Sequence, residues 1–524
     1  MKRFSELIAA IPGGLLARTG AGDPLVNRIM LDSRQVRDGD LFVALVGGST
    51  DGHRYIPGAV NAGASAILGS RPTSDFSALG IPYIQVEDSR QAMAYMSAAL
   101  YNFPARKLTV IGVTGTDGKT TTSNLLYQVL LAAGYRAGMI STVNAVIGDQ
   151  VLDTGFHVTT PEAPDVQRYL AMMVDAGLTH VVLESTSHGL AQHRVTACEF
   201  DIGVVTNITH EHLDYHGTYE AYRGAKARLF TSLEETADKP AGNIRLGVLN
   251  RDDASYEYLE QVTRARKVAY SLNAPSDLWA DSIQYTPSGI QFIAHGSNFM
   301  VEVKSNLLGE YNVSNILAAM SAAIFGLGID PKVAASGISQ LAGVPGRMEK
   351  INLGQDFLAI VDFAHTPNAL LRALEAARKM TRGRVLAVFG SAGLRDRQKR
   401  RMMAAVSIQY ADVTYLTAED PRTESLDAIL AEMADEAQMY GGVEGTTFFR
   451  IPDRGNAIRA AVSAAKPGDL VIACGKGHEQ SMCFGEVEYR WDDRIAMQAA
   501  LSTRLGIVGP EMPHLPTWQE TQEG

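Results

Sequence analysis

The run Thr114-Gly115-Thr116-Asp117-Gly118-Lys119-Thr120-Thr121-Thr122 sets two glycines, one lysine and a file of hydroxyls within nine positions. Glycines let a backbone close on a phosphate, successive N–H groups face the anion, and Lys119 adds a point charge. The hydroxyl of Thr120 or Thr121 then stands where a magnesium ion would be met. The spacing departs from G-x-x-x-x-G-K-[ST], because Val113 occupies the first glycine position. A bare glycine turn leading into a helix is the plain alternative, and the phosphate reading is preferred to it. Three further groups carry possible chemistry. Glu184 closes an apolar run and offers a carboxylate to a metal. The segment 207–216 holds three histidines, His210, His212 and His216, in seven positions. It contains no H-E-x-x-H and no nearby cysteine, so zinc is not indicated. Taken alone these histidines read as hydrogen-bonded loop residues, and Lys226 as a solvated surface lysine.

The elements around these residues must place them. The β-branched run 108–113 reads as a buried strand, and the apolar period Leu125, Leu126, Val129, Leu130, closed by Gly134, as a helix. A strand, a glycine turn and a helix N-terminus in that order cradle phosphates. Short strand-like runs at 41–46, 66–68 and 83–86 precede them, with an amphipathic helix ending near Tyr101. From 104 to 345 strands at 181–184 and 200–207 alternate with helices, including one at 219–233, which predicts a mostly parallel sheet covered on both faces. At 277–303 the pattern turns to polar–apolar alternation about Pro287-Ser288-Gly289, an appended hairpin. A second α/β block follows Gly343-Val344-Pro345-Gly346, with strands at 357–362, 385–390, 413–416 and 470–474. It carries no G-x-G-x-x-G and hence no dinucleotide signature. The limits read from texture are 1–103, 104–345 and 346–509, with a loose tail at 510–524.

The chain has 524 residues, too many for one core. With 47 basic and 57 acidic residues the formal charge is −10, and no basic run suits nucleic acid. Anionic ligands must be met by locally placed cations. The three cysteines, Cys198, Cys474 and Cys483, show neither disulfide framework nor metal spacing and fit a reducing cytoplasm. The N-terminus does not read as a signal peptide, and the apolar segment 316–329 is too short for a bilayer and reads as a buried helix.

In combination, TGTDGKTTT (114–122), ESTSHGLAQHR (184–194), TNITHEHLDYHG (206–217) and AKARLF (225–230) resemble the Mur ligase family. The likeness covers nearly the whole chain. LDSRQVRDGDLFVAL (31–45) and DGHRYIPGAVNAGASAIL (51–68) resemble its UDP-binding first domain. PGRMEK (345–350), DFAHTPNAL (362–370), FGSAGLRDRQKR (389–400), AEDPRTES (418–425) and GKGHE (475–479) follow in the family's order. Folylpolyglutamate synthases share the ATP loop and a similar last domain but lack the LDSR segment.

The resemblance implies an α/β protein of three domains: a small α/β UDP-binding domain, a central P-loop ATPase-type parallel sheet with an appended hairpin, and a C-terminal Rossmann-like domain. It implies an ATP-dependent ligase joining a diamino acid to UDP-N-acetylmuramoyl-L-alanyl-D-glutamate through an acyl phosphate, with two magnesium ions, in peptidoglycan precursor synthesis. A cytoplasmic monomer without nucleic-acid or membrane partners is expected. By the same resemblance Thr114, Gly115, Thr116, Gly118, Lys119, Thr120 and Thr121 hold ATP phosphates. Glu184, His212 and Lys226 join Thr120 around metal, with Lys226 carbamylated. Asn312 and Asn315 face adenine, though both also suit helix capping. Arg347 and Asp362 meet ATP from the last domain. Thr159, Thr160, Ser187 and Arg194 contact the muramoyl-dipeptide, and Ser33 and His53 the uridine end. Arg395, Asp420, Arg422, Gly475 and Glu479 take the amino acid.

Two departures bear on this. Ser391, Ala392 and Leu394 stand where the family carries a cysteine, glycines and an aspartate, and Glu419-Asp420-Pro421-Arg422 stands where the diaminopimelate pattern is D-N-P-R. Asp420 adds a charge that repels a distal carboxylate, welcomes an ammonium, or pairs with Arg422. That tilts the expectation slightly to lysine or ornithine, with meso-diaminopimelate close behind. Two other classes stay open: a non-ligating ATP-binding regulatory module on the same scaffold, and a folylpolyglutamate-synthase-like ligase. A switch GTPase is disfavoured by the lack of an N-K-x-D string.

Overall fold

A computed structural model describes residues 1–47, 50–152, 160–209, 211, 213–286 and 289–518, the side chains of 213 and 214 excepted. The chain forms two compact units. One comprises Met1–Ala280, Ala294–Val301 and Ser314–Ile338, and the other comprises Asp281–Ile293, Glu302–Val313 and the chain from Ser339 onward.

The first unit opens with a five-stranded sheet in the order Ala17–Thr19, Tyr83–Gln85, Ala64–Gly69, Asp40–Val43, Ile29–Met30, parallel except at the first pair. Strand alternation sorts its side chains. Leu41, Val43, Ala66 and Leu68 pack with Phe4, Leu7 and the helix Ser89–Leu100, while Phe42, Ile67 and Tyr83 pack with Ile56 and Ala59 on the other face. The central sheet runs Gln150–Leu152, Ala145–Ile147, Ala137–Ile140, His180–Glu184, Thr109–Thr114, Ile202–Val205, Leu246–Asn250, Arg266–Ser271, then Leu278–Thr286, Gly289–Gly296 and Met300–Ser305. The pairs from Ala137–Ile140 to the start of Leu278–Thr286 are parallel. The last three strands are the segment whose alternation predicted a hairpin. Its turn residues Pro287 and Ser288 lie outside the described residues.

Thr109–Thr114 is flanked by His180–Glu184 and Ile202–Val205, with Glu184 beside Val113 and Val205 beside Thr114. The loops after these three strands therefore emerge together at the carboxyl edge, where open α/β sheets bind ligands. The segment 316–329 is not one regular helix. Tyr311–Ser321 is α-helical, then the chain widens into a π turn, Ala322–Gly326, where a side chain at Gly326 would lie 2.5 Å from Ile202. The helix expected over 219–233 ends at Thr231 and tightens into the 3-10 turn Ser232–Glu234.

The second unit is built on a six-stranded sheet ordered Glu349–Lys350, Leu358–Asp362, Leu470–Cys474, Val385–Phe389, Val413–Leu416, Phe448–Arg450, parallel after the first pair. Ile360, Ala387 and Ile472 pack under Pro367–Met380, Arg397–Tyr410 and Leu426–Met439, while Val361, Leu386 and Val471 pack under Arg454–Ala464 and Asp493–Leu505. The tail expected to be loose is tied down over its described part. Leu515 is buried in this second core, and Thr517 Oγ1 donates to Asp453 at 3.0 Å. Apolar burial and a side-chain bond hold it there. Among the described residues no helix is long and apolar enough to cross a membrane.

Candidate active site

The phosphate loop lies between the strand Thr109–Thr114 and the helix Lys119–Ala132. Its glycines are there for two reasons. A Cβ on Gly115 would fall 1.8 Å from Thr206 Oγ1, and Gly118, at φ 81°, caps the helix in the left-handed region and would meet Asn315 Oδ1 at 2.2 Å. Thr206 and Asn207, which the sequence did not single out, fasten the loop. Thr116 N donates to Asn207 O at 2.7 Å, Asp117 N to Asn207 Oδ1 at 3.0 Å, and Thr206 Oγ1 to Asp117 O at 2.5 Å. Thr116 Oγ1 shares a hydrogen bond with Tyr222 at 2.9 Å. The strand's last residue, Thr114, is buried, as is Thr121, while Lys119 Nζ donates to Thr116 O at 2.7 Å.

Thr120 and Glu184 meet beneath this loop. The Thr120 hydroxyl lies 3.1 Å from both Glu184 carboxylate oxygens, and Thr142 adds an N–H at 3.0 Å and a hydroxyl at 2.9 Å. Thr142 was missed, although its signal is visible: a hydroxyl just past the strand Ala137–Ile140. Lys226 is buried, its Nζ donating to Gly115 O at 2.5 Å and lying 4.7 Å from the Tyr222 ring centre. Burial, then the Lys119 charge, drive its pKa well below the ordinary lysine value, against the pull of Glu211, Asp117 and Glu184. The solvated surface lysine expected from the local string is not what the fold makes of it. His210 and His212 lie outside the described residues, and so does Thr159.

The proposed dipeptide contacts converge in part. Thr160 Oγ1 donates to Glu184 O at 3.2 Å and accepts from Thr186 N at 3.1 Å, next to the buried Ser187. Arg194 donates to Thr160 O at 2.8 Å and pairs with Glu162 at 2.9 Å. Asn315 packs against Gly118, whereas Asn312, in the second unit, donates to Leu308 O at 2.6 Å. Ser33 begins a 3-10 turn capped by Asp32, whose carboxyl Arg34 holds down at about 2. His53 is turned into the fold. Its ring is buried, with Nδ1 2.6 Å from Asp51 and Nε2 accepting from Ser70 N and Arg71 N at 3.1 and 3.3 Å. Both ring nitrogens are used inside the fold, so the imidazole fastens Asp51 to the backbone of Ser70 and Arg71.

In the second unit Asp362 accepts from Met348 N and Ala364 N at 2.7 and 2.8 Å, and Arg347 stacks over the Phe363 ring at 4.4 Å. Asp362 stands in register beside Cys474, and Gly475 N donates to Asp362 O at 3.2 Å. The loop 419–422 is stitched to its neighbours. Asp420 carries φ 39° and Arg422 φ 54°, left-handed backbone that asparagine and aspartate tolerate and arginine rarely adopts. Cys483 N donates to Asp420 Oδ1 at 2.9 Å, Gly393 N to Asp420 O at 3.0 Å, and Arg422 N to Cys483 O at 3.1 Å. The expected partnership of Asp420 is corrected here: its carboxylate is taken by buried Lys476, at 3.0 and 3.1 Å, not by Arg422. Lys476 also pairs with Glu479 at 2.6 Å. Arg395 is exposed, and buried Arg400 reaches Glu424 at 2.8 and 2.9 Å.

A phosphate loop at the carboxyl edge of a parallel sheet, with an acid and hydroxyl beneath it, on a chain that also carries a charged loop cluster on a second sheet, defines an ATP-dependent ligase. The chain belongs to the Mur ligase family. Residues 25–101 match the "Mur ligase family, catalytic domain", 113–323 the "Mur ligase middle domain", and 346–477 the "Mur ligase, glutamate ligase domain". It is 40% identical over 493 residues to a UDP-N-acetylmuramyl-tripeptide synthetase of Roseiflexus sp. (strain RS-1), covering 93% of this chain and 96% of that protein. It is 39% identical to a UDP-N-acetylmuramoyl-L-alanyl-D-glutamate--2,6-diaminopimelate ligase of Geobacillus thermodenitrificans (strain NG80-2), over 96% of this chain and 100% of that one. A solved structure under the same ligase name aligns at TM-score 0.63 and 31% identity, covering 92% of this chain and 95% of the other.

Proposed function

We propose that the protein joins meso-diaminopimelate to UDP-N-acetylmuramoyl-L-alanyl-D-glutamate at the expense of ATP, a cytoplasmic step of peptidoglycan precursor synthesis on which cell shape and division depend. Residues 1–103 take the uridine end, 104–345 take ATP and 346–509 take the amino acid. A carboxylate does not react with an amine at neutral pH, so the γ-phosphoryl group first passes to the glutamyl carboxylate and ADP leaves. The amine then attacks the acyl phosphate and expels phosphate. The loop amides and Lys119 hold the phosphates, and Arg194 and Thr160 orient the peptide.

Thr120 and Glu184 form an oxygen pair suited to magnesium, which would neutralise phosphate charge. A second ion would be served by His212 and by Lys226 in its carbamylated form. The amine of Lys226 gives up its proton and bonds carbon dioxide, becoming an anionic oxygen donor. The observation that carries the reading is the burial of Lys226 against Gly115 O, under the loop and beside the Lys119 charge, a setting that disfavours an ammonium. The amino acid is moved from lysine or ornithine to diaminopimelate by the pairing of Asp420 with Lys476, which removes the charge objection, and by the names of the relatives. Phosphate release with the UDP-dipeptide, ATP and each diamino acid in turn is the test. Release that ignores both the dipeptide and the amino acid would leave an ATP-binding module instead.

A further inference from the structure

Four of the charged side chains on the loops proposed to take the amino acid, Asp420, Arg422, Lys476 and Glu479, bear on which end of it the loops favour. Lys476 is fully buried, and its ammonium touches both Asp420 oxygens at 3.0 and 3.1 Å and Glu479 at 2.6 Å. Arg422, half-buried on the adjoining stretch of backbone, makes no side-chain ion pair among the described residues. Two carboxylates and two cations sum to zero. Of the charges next to this set, Arg454 is matched by Asp493 at 2.6 Å and Glu424 by Arg400 at 2.8 Å, and burial lifts the Glu419 carboxyl to about 7 against the pull of Lys399. A neutral set of this kind accepts a zwitterionic end, one ammonium and one carboxylate, better than a lone ammonium. A site one unit more negative does the reverse.

We propose that Lys476 is a specificity-determining residue: by cancelling one carboxylate of the Asp420–Glu479 pair it leaves Arg422 available to a distal carboxylate and so selects diaminopimelate over lysine. The inference rests on the reading that these loops take the amino acid, and it assigns Lys476 no part in the chemistry. Without the lysine, Asp420 would be an uncompensated anion whose nearest remedy is Arg422 or the distal ammonium of the wrong substrate.

The experiment measures kcat/KM for meso-diaminopimelate and for L-lysine with the full chain, under saturating ATP and UDP-dipeptide. Lys476→Met should lower the diaminopimelate-to-lysine ratio by about tenfold or more, the scale of one unscreened neighbouring charge. Asp420→Asn should raise that ratio, and Lys476→Met with Asp420→Asn together should bring it back toward wild type. Should Lys476→Met not fold, Lys476→Arg, expected to hold the ratio within about threefold, and Asp420→Asn decide the matter between them. A merely structural lysine would lower both efficiencies equally, and an unchanged ratio across the charge changes overturns the proposal. A wild type that turns over no diamino acid sinks the ligase reading itself, whereas a working wild type with an indifferent ratio sinks only this inference.

Discussion

Single side chains here act through what burial does to their charge. Lys226 sits in a buried place that penalises an ammonium, and on the role proposed for it Lys226→Ala should lose activity by about a hundredfold or more. Millimolar acetate or formate should restore part of it by standing in for the oxygens of the proposed carbamate. An alanine variant with near-normal turnover would remove Lys226 from the mechanism. Glu419 gives a second case. Its carboxyl is buried, one oxygen lacks a hydrogen-bond partner among the described residues, and burial lifts its pKa to about 7 despite Lys399 and Arg454 nearby. A folded pKa above the unfolded one means the native state holds the proton longer, so this group's contribution is full below about pH 4.5 and is lost as pH rises through 7. Glu419→Gln should therefore flatten the fall in stability between about pH 5 and 7, on the order of 3 kcal/mol. Denaturation curves across that range would show it, and an unaltered slope would refute it.

Elements position the loops by devices that leave faint traces in sequence. Arg454, on the helix Arg454–Ala464, is wholly buried and donates to Ala418 O at 3.2 Å and Cys474 O at 2.7 Å, the carbonyls just before the loops that begin at Glu419 and Gly475. Asp493 grips the same guanidinium at 2.6 and 2.7 Å and takes the Trp491 indole N–H at 2.9 Å. Arg454→Leu should cost about 3–5 kcal/mol, because it strands a buried carboxylate. A urea midpoint close to wild type would disprove the clamp. The phosphate loop and the meeting of Thr120 with Glu184 were legible because strand, turn and helix follow one another in the chain and strand ends converge. The clamp, the Lys476 bridge and the fastening of the loop by Asn207 were not, since their partners lie dozens of residues apart and look like ordinary polar positions. For His53 the motif was visible, but the partners of its two ring nitrogens are decided by packing and could not be read from it.

At the scale of the whole molecule, a ligand that binds only the folded chain must stabilise it. A non-hydrolysable ATP analogue with magnesium at a hundred times its Kd should add about 2.7 kcal/mol. Chelating the metal should remove most of that gain, because the phosphates would then face Glu184 without a cation between them. Thermal unfolding with and without a chelator checks this, and a gain indifferent to metal would exclude Thr120 and Glu184 as its holders. The three thiols of the chain divide just as sharply. Burial raises the pKa of all three, but Cys198 and Cys474 are fully buried, while Cys483 is partly exposed on the strand whose amide holds Asp420. A maleimide dye added to the native protein should couple at Cys483 alone. That would give a fluorescent reporter beside the loops proposed to take the amino acid, without a single engineered residue, able to follow their occupancy in real time.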